Sequence, residues 1–84
     1  MALKNRTAAQ PALVFVLRGE YIELHQLLKA TGLAASGGEG KMMVAQGLVE
    51  VDGAAESRKT AKIRAGQRVS ARGETIRVSA ALPG

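Results

Sequence analysis

The sequence has no cysteine and no tryptophan, and it has only one histidine. Without cysteine the chain can form neither a disulfide framework nor a thiolate metal site. His25 has no further nitrogen or sulfur ligand to join it in holding a metal, so neither a metal nor a cofactor is expected. No serine or aspartate stands at a spacing that would make His25 a catalytic base, and we expect a surface or half-buried helix residue. No catalytic residue and no enzymatic activity are predicted.

Aromatic residues are almost absent as well. Phe15 and Tyr21 are the only two, and both fall in segments that are predicted to form core elements. The chain therefore offers no obvious platform on which unpaired bases could stack. If the partner is a nucleic acid, we expect the protein to grip it through phosphate and shape.

Long hydrophobic runs are missing too. The longest apolar run, residues 12–17, has six residues, whereas a signal-peptide core needs roughly 7–15. A bilayer span needs about 20 apolar residues. These shortfalls predict a cytoplasmic protein without a membrane partner.

Acidic residues are few in the C-terminal third of the chain. The stretch from Glu56 to Arg77 holds seven cations and two acids, which accounts for the entire net charge of +5. A basic segment beside a neutral remainder favours a polyanionic partner. The less specific alternative is that the cluster at residues 58–62 forms only a solvated loop.

Periodicity divides the 84 residues into one domain with short ends. Residues 1–11 read as a disordered lead-in, residues 12–80 as a single domain and residues 81–84 as a tail. Within the domain, the patterns predict a strand over residues 12–17, a helix over 21–31 and a helix over 37–46. Period-two segments and the turn pairs Asp52-Gly53 and Arg72-Gly73 predict the later strands. The fold class is α+β, with a two-helix hairpin packed on a small, mostly antiparallel sheet of about four to five strands.

The start of the second helix combines a capping motif with glycines. Ser36 and Glu39 form a capping box, in which the serine accepts the N–H of Glu39 and the glutamate reaches back to the N–H of Ser36. Gly37, Gly38 and Gly40 each cost up to about 1 kcal/mol of helix propensity relative to alanine. Two explanations stay open, namely close packing of the helices through Gly40 and access of a ligand to the backbone amides of Gly37 and Gly38. The segment matches neither a P-loop nor a dinucleotide-binding fingerprint.

The order of these motifs resembles a known RNA-binding family. The residues that carry the likeness are Ile22, Leu24, Leu27-Leu28-Lys29, Gly32-Leu33, Ser36-Gly37-Gly38-Glu39-Gly40-Lys41, Val44, Gly47, Val49, Val51-Asp52-Gly53, Lys62-Ile63 and Gly66. Over about residues 20–70 they are similar to the RNA-binding domain named for bacterial small-subunit ribosomal protein four. The similarity is strongest to its free-standing members of the YbcJ and YaaA type. Gly37 and Gly40 stand where many members have arginine and alanine.

The resemblance implies an αL RNA-binding motif, in which the two helices and the following strand and loop form the RNA surface. It also implies structured RNA, often ribosomal, as the partner and no catalysis in the isolated domain. We further expect a monomer that acts on the ribosome or its precursors. The expected contacts are Lys29, Ser36, Gly37, Gly38, Lys41, Arg58, Lys59 and Lys62. Two alternatives remain: an assembly module whose basic face binds an acidic protein, and an accessory subunit that delivers RNA to a modifying enzyme.

Overall fold

Seven strands and two helices make up the part of the chain that the computed structural model describes, residues 13–81. In chain order they are β1 (Leu13–Leu17), β2 (Ile22–Glu23), α1 (Leu24–Thr31), α2 (Gly37–Ala45), β3 (Val49–Val51), β4 (Ala54–Ala55), β5 (Lys62–Ile63), β6 (Arg68–Ala71) and β7 (Glu74–Ala80). The predicted lead-in over residues 1–11 and residues 82–84 of the predicted tail lie outside the described residues.

The strands form two sheets. Five of them lie in the order β1-β7-β6-β3-β4, and β2 pairs with β5 in a separate two-stranded sheet. All pairs are antiparallel except β1 and β7, which run parallel with Leu13 opposite Ile76. The predicted α+β class and the mostly antiparallel sheet are therefore confirmed.

Two hairpins turn at the predicted dipeptides. Asp52 and Gly53 have φ angles of 52° and 86°, and Arg72 and Gly73 have φ angles of 53° and 77°. Two consecutive left-handed residues are typical of the tight two-residue turn that matches the twist of the flanking strands. These turns connect β3 to β4 and β6 to β7.

Helix α1 is shorter than its apolar pattern predicts. It begins at Leu24 rather than at Tyr21, because Ile22 and Glu23 pair with Ile63 and Lys62 of β5 and are held extended. It ends as predicted at Thr31, with Gly32 in the left-handed conformation that closes many helices. Leu24, Leu27 and Leu28 point into the core and are fully buried.

Helix α2 begins at the predicted capping motif and ends one residue before the predicted boundary. The hydroxyl of Ser36 accepts the N–H of Glu39 at 3.1 Å, as expected for an N-cap. The return bond differs from the prediction, because the Glu39 carboxylate accepts the N–H of Ala35 at 2.6 Å rather than that of Ser36. The carboxylate therefore caps the turn one residue earlier and stabilises the entry to the helix.

The two helices meet at Gly40. A Cβ atom at this position would lie 2.8 Å from the backbone carbonyl oxygen of His25, so a side chain would force the helices apart. The predicted close packing through Gly40 is confirmed. It brings the first turn of α2 against the first turn of α1.

One hydrophobic core joins both helices to one face of the large sheet. The strands contribute the buried residues Leu17, Val49, Val69, Ala71, Ile76 and Val78, and α2 contributes Met43 and Val44. The opposite face of the sheet carries alternate residues of the same strands, among them Arg68, Ser70, Thr75 and Arg77. We call this the outer sheet face, and it is partly cationic.

Candidate nucleic-acid interface

The cluster at residues 58–62, which we call the basic loop, is attached to the start of α1 through backbone hydrogen bonds. The N–H of His25 donates to the carbonyl of Lys59 at 3.0 Å, and the N–H of Leu24 donates to the carbonyl of Ala61 at 2.9 Å. Residue Glu23 at the N-cap provides no side-chain cap, so the loop carbonyls satisfy amide groups that a helix start otherwise leaves without partners. The basic loop is thus built into the helix pair.

Within the basic loop, Arg58 is held by an acid. Its Nε lies 3.0 Å from Oε2 of Glu56, and the same carboxylate oxygen accepts the Arg58 backbone N–H at 2.9 Å. These hydrogen bonds hold the pKa of the Glu56 carboxyl below its ordinary value and raise the pKa of the Arg58 guanidinium. The Arg58 side chain nevertheless remains 75% exposed, so its guanidinium can meet a further anion.

A shallow cleft lies within the basic loop. Arg58, Thr60, Ala61 and Lys62 line a cleft of about 350 Å³. Lys59 is exposed beside it, and among the described residues its ammonium group has no carboxylate within 4 Å. The cleft therefore offers one hydroxyl and several cationic groups at the surface.

The first turn of α2 lies near this loop, because both contact His25. A Cβ atom on Gly37 would lie 3.9 Å from Nδ1 of His25, and one on Gly38 would lie 3.8 Å from the Ser36 hydroxyl. Both are ordinary contact distances, so packing does not demand glycine at either position. No described group accepts a hydrogen bond from the amides of Gly37 and Gly38.

His25 lies at the junction of the three segments. The expectation of a surface or half-buried residue is wrong, since His25 is 9% exposed. Its Nε2 lies 3.0 Å from Oε1 of Glu23, and its buried Nδ1 has no hydrogen-bond partner among the described residues. The sequence did carry a signal for this burial, because His25 stands three positions before the buried Leu28 and so flanks the apolar stripe of α1.

Arg72 holds the start of α2 in place, a role that the sequence did not predict. From the β6–β7 turn it donates to the carbonyl of Leu33 at 3.0 Å and to Oε2 of Glu39 at 2.9 Å. The Ala35 amide and then the Arg72 guanidinium lower the pKa of the Glu39 carboxyl. Arg72 therefore fixes the start of α2 to the large sheet, and its charge is already matched by Glu39.

Two of the predicted contact residues lie farther along the helices. Lys29 is in the last turn of α1 and Lys41 is one turn into α2, and both are exposed. Neither side chain makes a hydrogen bond or ion pair in the described part of the chain. The structure therefore brings the start of α2 and the basic loop together, whereas no described side-chain hydrogen bond or ion pair links Lys29 or Lys41 to either of them.

The described residues contain neither a metal-binding cluster nor a membrane-spanning helix. Across residues 13–81 no group of three or more His, Asp or Glu side chains could hold a metal ion. No helix in the same range is long and apolar enough to cross a membrane.

Residues 15–79 match the S4 domain family. The chain belongs to this family. The match spans most of the folded part, including both helices, the basic loop and the long strand β7. It confirms the resemblance drawn from the helix, glycine and hairpin motifs.

The chain is also homologous to YbcJ. It is 48% identical over 60 residues to the Escherichia coli K12 protein, whose name describes it as a candidate RNA-binding protein. The aligned segment covers 71% of this chain and 86% of that protein. The uncharacterized YbcJ of Shigella flexneri matches with the same identity and coverage. The solution structure of Escherichia coli YbcJ, described as revealing an ALFAL motif involved in RNA binding, superposes with a TM-score of 0.65. That superposition covers 83% of this chain and 90% of the other, at 42% identity.

Proposed function

We propose that this S4 domain protein binds structured RNA, ribosomal RNA in particular, and that it does so without catalysing a reaction. The observation that carries the proposal is the double attachment at His25. Its backbone N–H donates to the Lys59 carbonyl of the basic loop, and its carbonyl oxygen lies against Gly40 of α2. Cations and a helix start are thereby held side by side at a fixed spacing, which suits a run of phosphates on a folded RNA.

The basic loop supplies the charge in this proposal. Arg58, Lys59 and Lys62 are exposed, and each can neutralise one phosphate of a nucleic-acid backbone. The guanidinium of Arg58 can also contact two phosphate oxygens at once. Because the loop backbone is hydrogen-bonded to α1, little conformational entropy remains to be lost there on binding.

The start of α2 supplies neutral donors. The backbone amides of Gly37 and Gly38 point outward from the positive end of the helix dipole, where an anion is stabilised. With glycine at position 37, the phosphate can approach the backbone where other family members place an arginine. The Ser36 hydroxyl, already an acceptor for Glu39, can donate its own hydrogen to the same phosphate.

Lys29 and Lys41, the predicted contacts that lie farther along the helices, have a secondary role in binding. Lys29 and Lys41 are exposed on α1 and α2, from where long side chains can reach phosphates that flank the central contact. The context that suits these features is a cytoplasmic monomer that acts on the ribosome or its precursors. The homology to YbcJ supports the RNA partner.

A salt titration with a competitor tests the proposal. If four or five phosphates of a ribosomal RNA fragment are neutralised, raising the salt from 50 to 200 mM should weaken binding roughly 100-fold. An excess of transfer RNA or ribosomal RNA should displace the fragment, whereas polyglutamate at equal charge concentration should not. A flat salt response would contradict the electrostatic grip. Equal displacement by polyglutamate would favour an acidic protein partner instead.

A further inference from the structure

Tyr21 lies at the surface rather than in the core where its sequence position predicts it. Its side chain belongs to the segment between β1 and β2, and the residue is 41% exposed. The reason is the short pairing of β2 with β5, because of which the helix begins three residues later than predicted and leaves Tyr21 outside it. An exposed aromatic ring is the one feature that the sequence interpretation found missing for contacts with unpaired bases.

Two cations lie over this ring. Nζ of Lys62 lies 5.0 Å from the ring centroid, and Cζ of Arg64 lies 5.6 Å from it. Lys62 is opposite Glu23 in the β2–β5 pair, so Tyr21, two residues before Glu23, meets the side chains of Lys62 and Arg64 on the same side. The backbone of Arg64 is itself fixed, since its N–H donates to the side chain of Gln67 at 2.8 Å.

A pocket opens beside the ring. It has a volume of about 480 Å³ and is lined by residues 15–19, Tyr21 and Ile22. Phe15, Val16 and Leu17 contribute apolar side chains to its lining, and Arg18 contributes a cation. Lys62 belongs both to the cleft of the basic loop and to the surroundings of the ring, so the pocket continues the surface already proposed for RNA.

We propose that this pocket receives one unpaired RNA base, stacked on Tyr21, while Lys62 and Arg64 hold the phosphates on either side of it. The inference rests on the proposed function and adds the kind of RNA, namely a helix with a bulged or looped-out nucleotide. A purely apolar partner would gain nothing from the two cations that lie over the Tyr21 ring. A nucleotide pairs a flat π surface with negative charge, and both match what the pocket presents.

The chain offers a built-in reporter for this contact. Tyr21 is the only tyrosine and there is no tryptophan, so the intrinsic tyrosine fluorescence comes from the proposed site alone. The wild-type protein is titrated with an RNA duplex that carries a single bulged base and with the fully paired duplex of equal charge. We expect the bulged RNA to quench the fluorescence and to bind more tightly, and the paired RNA to bind without comparable quenching.

Two variants at position 21 separate stacking from charge. Tyr21→Phe keeps the ring and should keep the preference for the bulged RNA, observed through 2-aminopurine at the bulged position. Tyr21→Leu keeps an apolar side chain without a ring and should lose roughly 5- to 100-fold of the affinity for bulged RNA, the range for one stacked base. Binding of the paired duplex should stay near the wild-type level in both.

The outcomes distinguish this inference from the function on which it rests. If both RNAs bind with steep salt dependence, quench equally and respond alike to Tyr21→Leu, the base site is wrong and the phosphate grip stands. If neither RNA binds, the proposed function fails and this inference fails with it. Quenching by an acidic aromatic peptide as strong as that by bulged RNA would also overturn the assignment to a base.

Discussion

At the level of single residues, the cationic side chains differ in the groups that they already contact within the protein. Arg58 is engaged by Glu56, Lys62 lies against the ring of Tyr21, and Arg72 is matched by Glu39. Lys59 has only its backbone carbonyl engaged among the described contacts. A count of positive residues therefore overstates the charge that a phosphate meets, because Arg72 has a structural role and Arg58 must share its guanidinium.

The pairing of Arg58 leads to a prediction about Glu56. Glu56→Gln removes the competing acid, yet the amide oxygen can still accept the backbone N–H of Arg58. We expect RNA affinity at low salt to rise about fivefold, within the range for the loss of one exposed charge pair. Glu50→Gln is the matched control, since it changes the net charge equally but lies on the outer sheet face. Fluorescence anisotropy with a labelled RNA measures both variants.

A contrary result at Glu56 has a definite meaning. If Glu56→Gln weakens binding while Glu50→Gln does not, the carboxylate orders Arg58 for its phosphate instead of competing with it. Equal gains in the two variants would mean that the RNA senses only the total charge.

At the level of elements, the geometry of the interface depends on how closely the two helices approach. Gly40 allows the contact with the His25 carbonyl, and the basic loop is attached to the same turn of α1. Gly37 and Gly38 are not required by packing, because a Cβ at either would make only ordinary contacts. Packing therefore explains the glycine at position 40, while access of a ligand to the amides of Gly37 and Gly38 stays a prediction.

Alanine substitution separates these explanations. Gly38→Ala should raise the free energy of unfolding by up to about 1 kcal/mol through its better helix propensity. Gly40→Ala should lower it by about 1–3 kcal/mol, because the methyl group meets a backbone oxygen that cannot move without moving α1. Urea unfolding followed by circular dichroism measures both. Stabilisation by both substitutions would show that the helices can separate to admit the methyl group, and the fixed spacing at His25 would be lost as an argument.

At the level of the whole molecule, the large sheet separates two charged surfaces. The helices and the core cover one face, and the basic loop lies at the start of α1. The outer sheet face carries Arg68 directly opposite Arg77, and no carboxylate of the described residues lies within 4 Å of either guanidinium. Exposed positive charge thus lies both on the basic loop and on the outer sheet face.

How far the sequence could predict this arrangement depends on the range of the interactions involved. The N-cap at Ser36, the end of α1 at Gly32 and the Asp52-Gly53 turn are local, and each is confirmed. The exposure of Tyr21 depends instead on the pairing of β2 with β5, whose partners are far apart in the chain. Two-residue strands leave no periodicity to detect, so the sequence predicts Tyr21 in the core. The burial of His25 depends on its contact with the first turn of α2.

The same limit applies to the site itself. Family resemblance gave six of the eight predicted contact residues, and the capping motif at the start of α2 gave Gly37 and Gly38. The structure shows hydrogen bonds that hold the basic loop beside α1. The bond from Arg72 to Glu39 joins a turn of the sheet to a helix start, and no local pattern indicates it. Which of the exposed cations touch RNA stays a prediction.

The central claim is that the basic loop, and not the overall positive charge, binds RNA. Two double variants test it, Arg58→Gln with Lys59→Gln in the basic loop and Arg68→Gln with Arg77→Gln on the outer sheet face, each lowering the net charge from +5 to +3. The measurement is the affinity for one ribosomal RNA fragment across a salt series. We expect the first pair to weaken binding roughly 10- to 30-fold and to make the salt slope shallower by about one to two, while the second changes it little. Equal losses from the two pairs would contradict the claim.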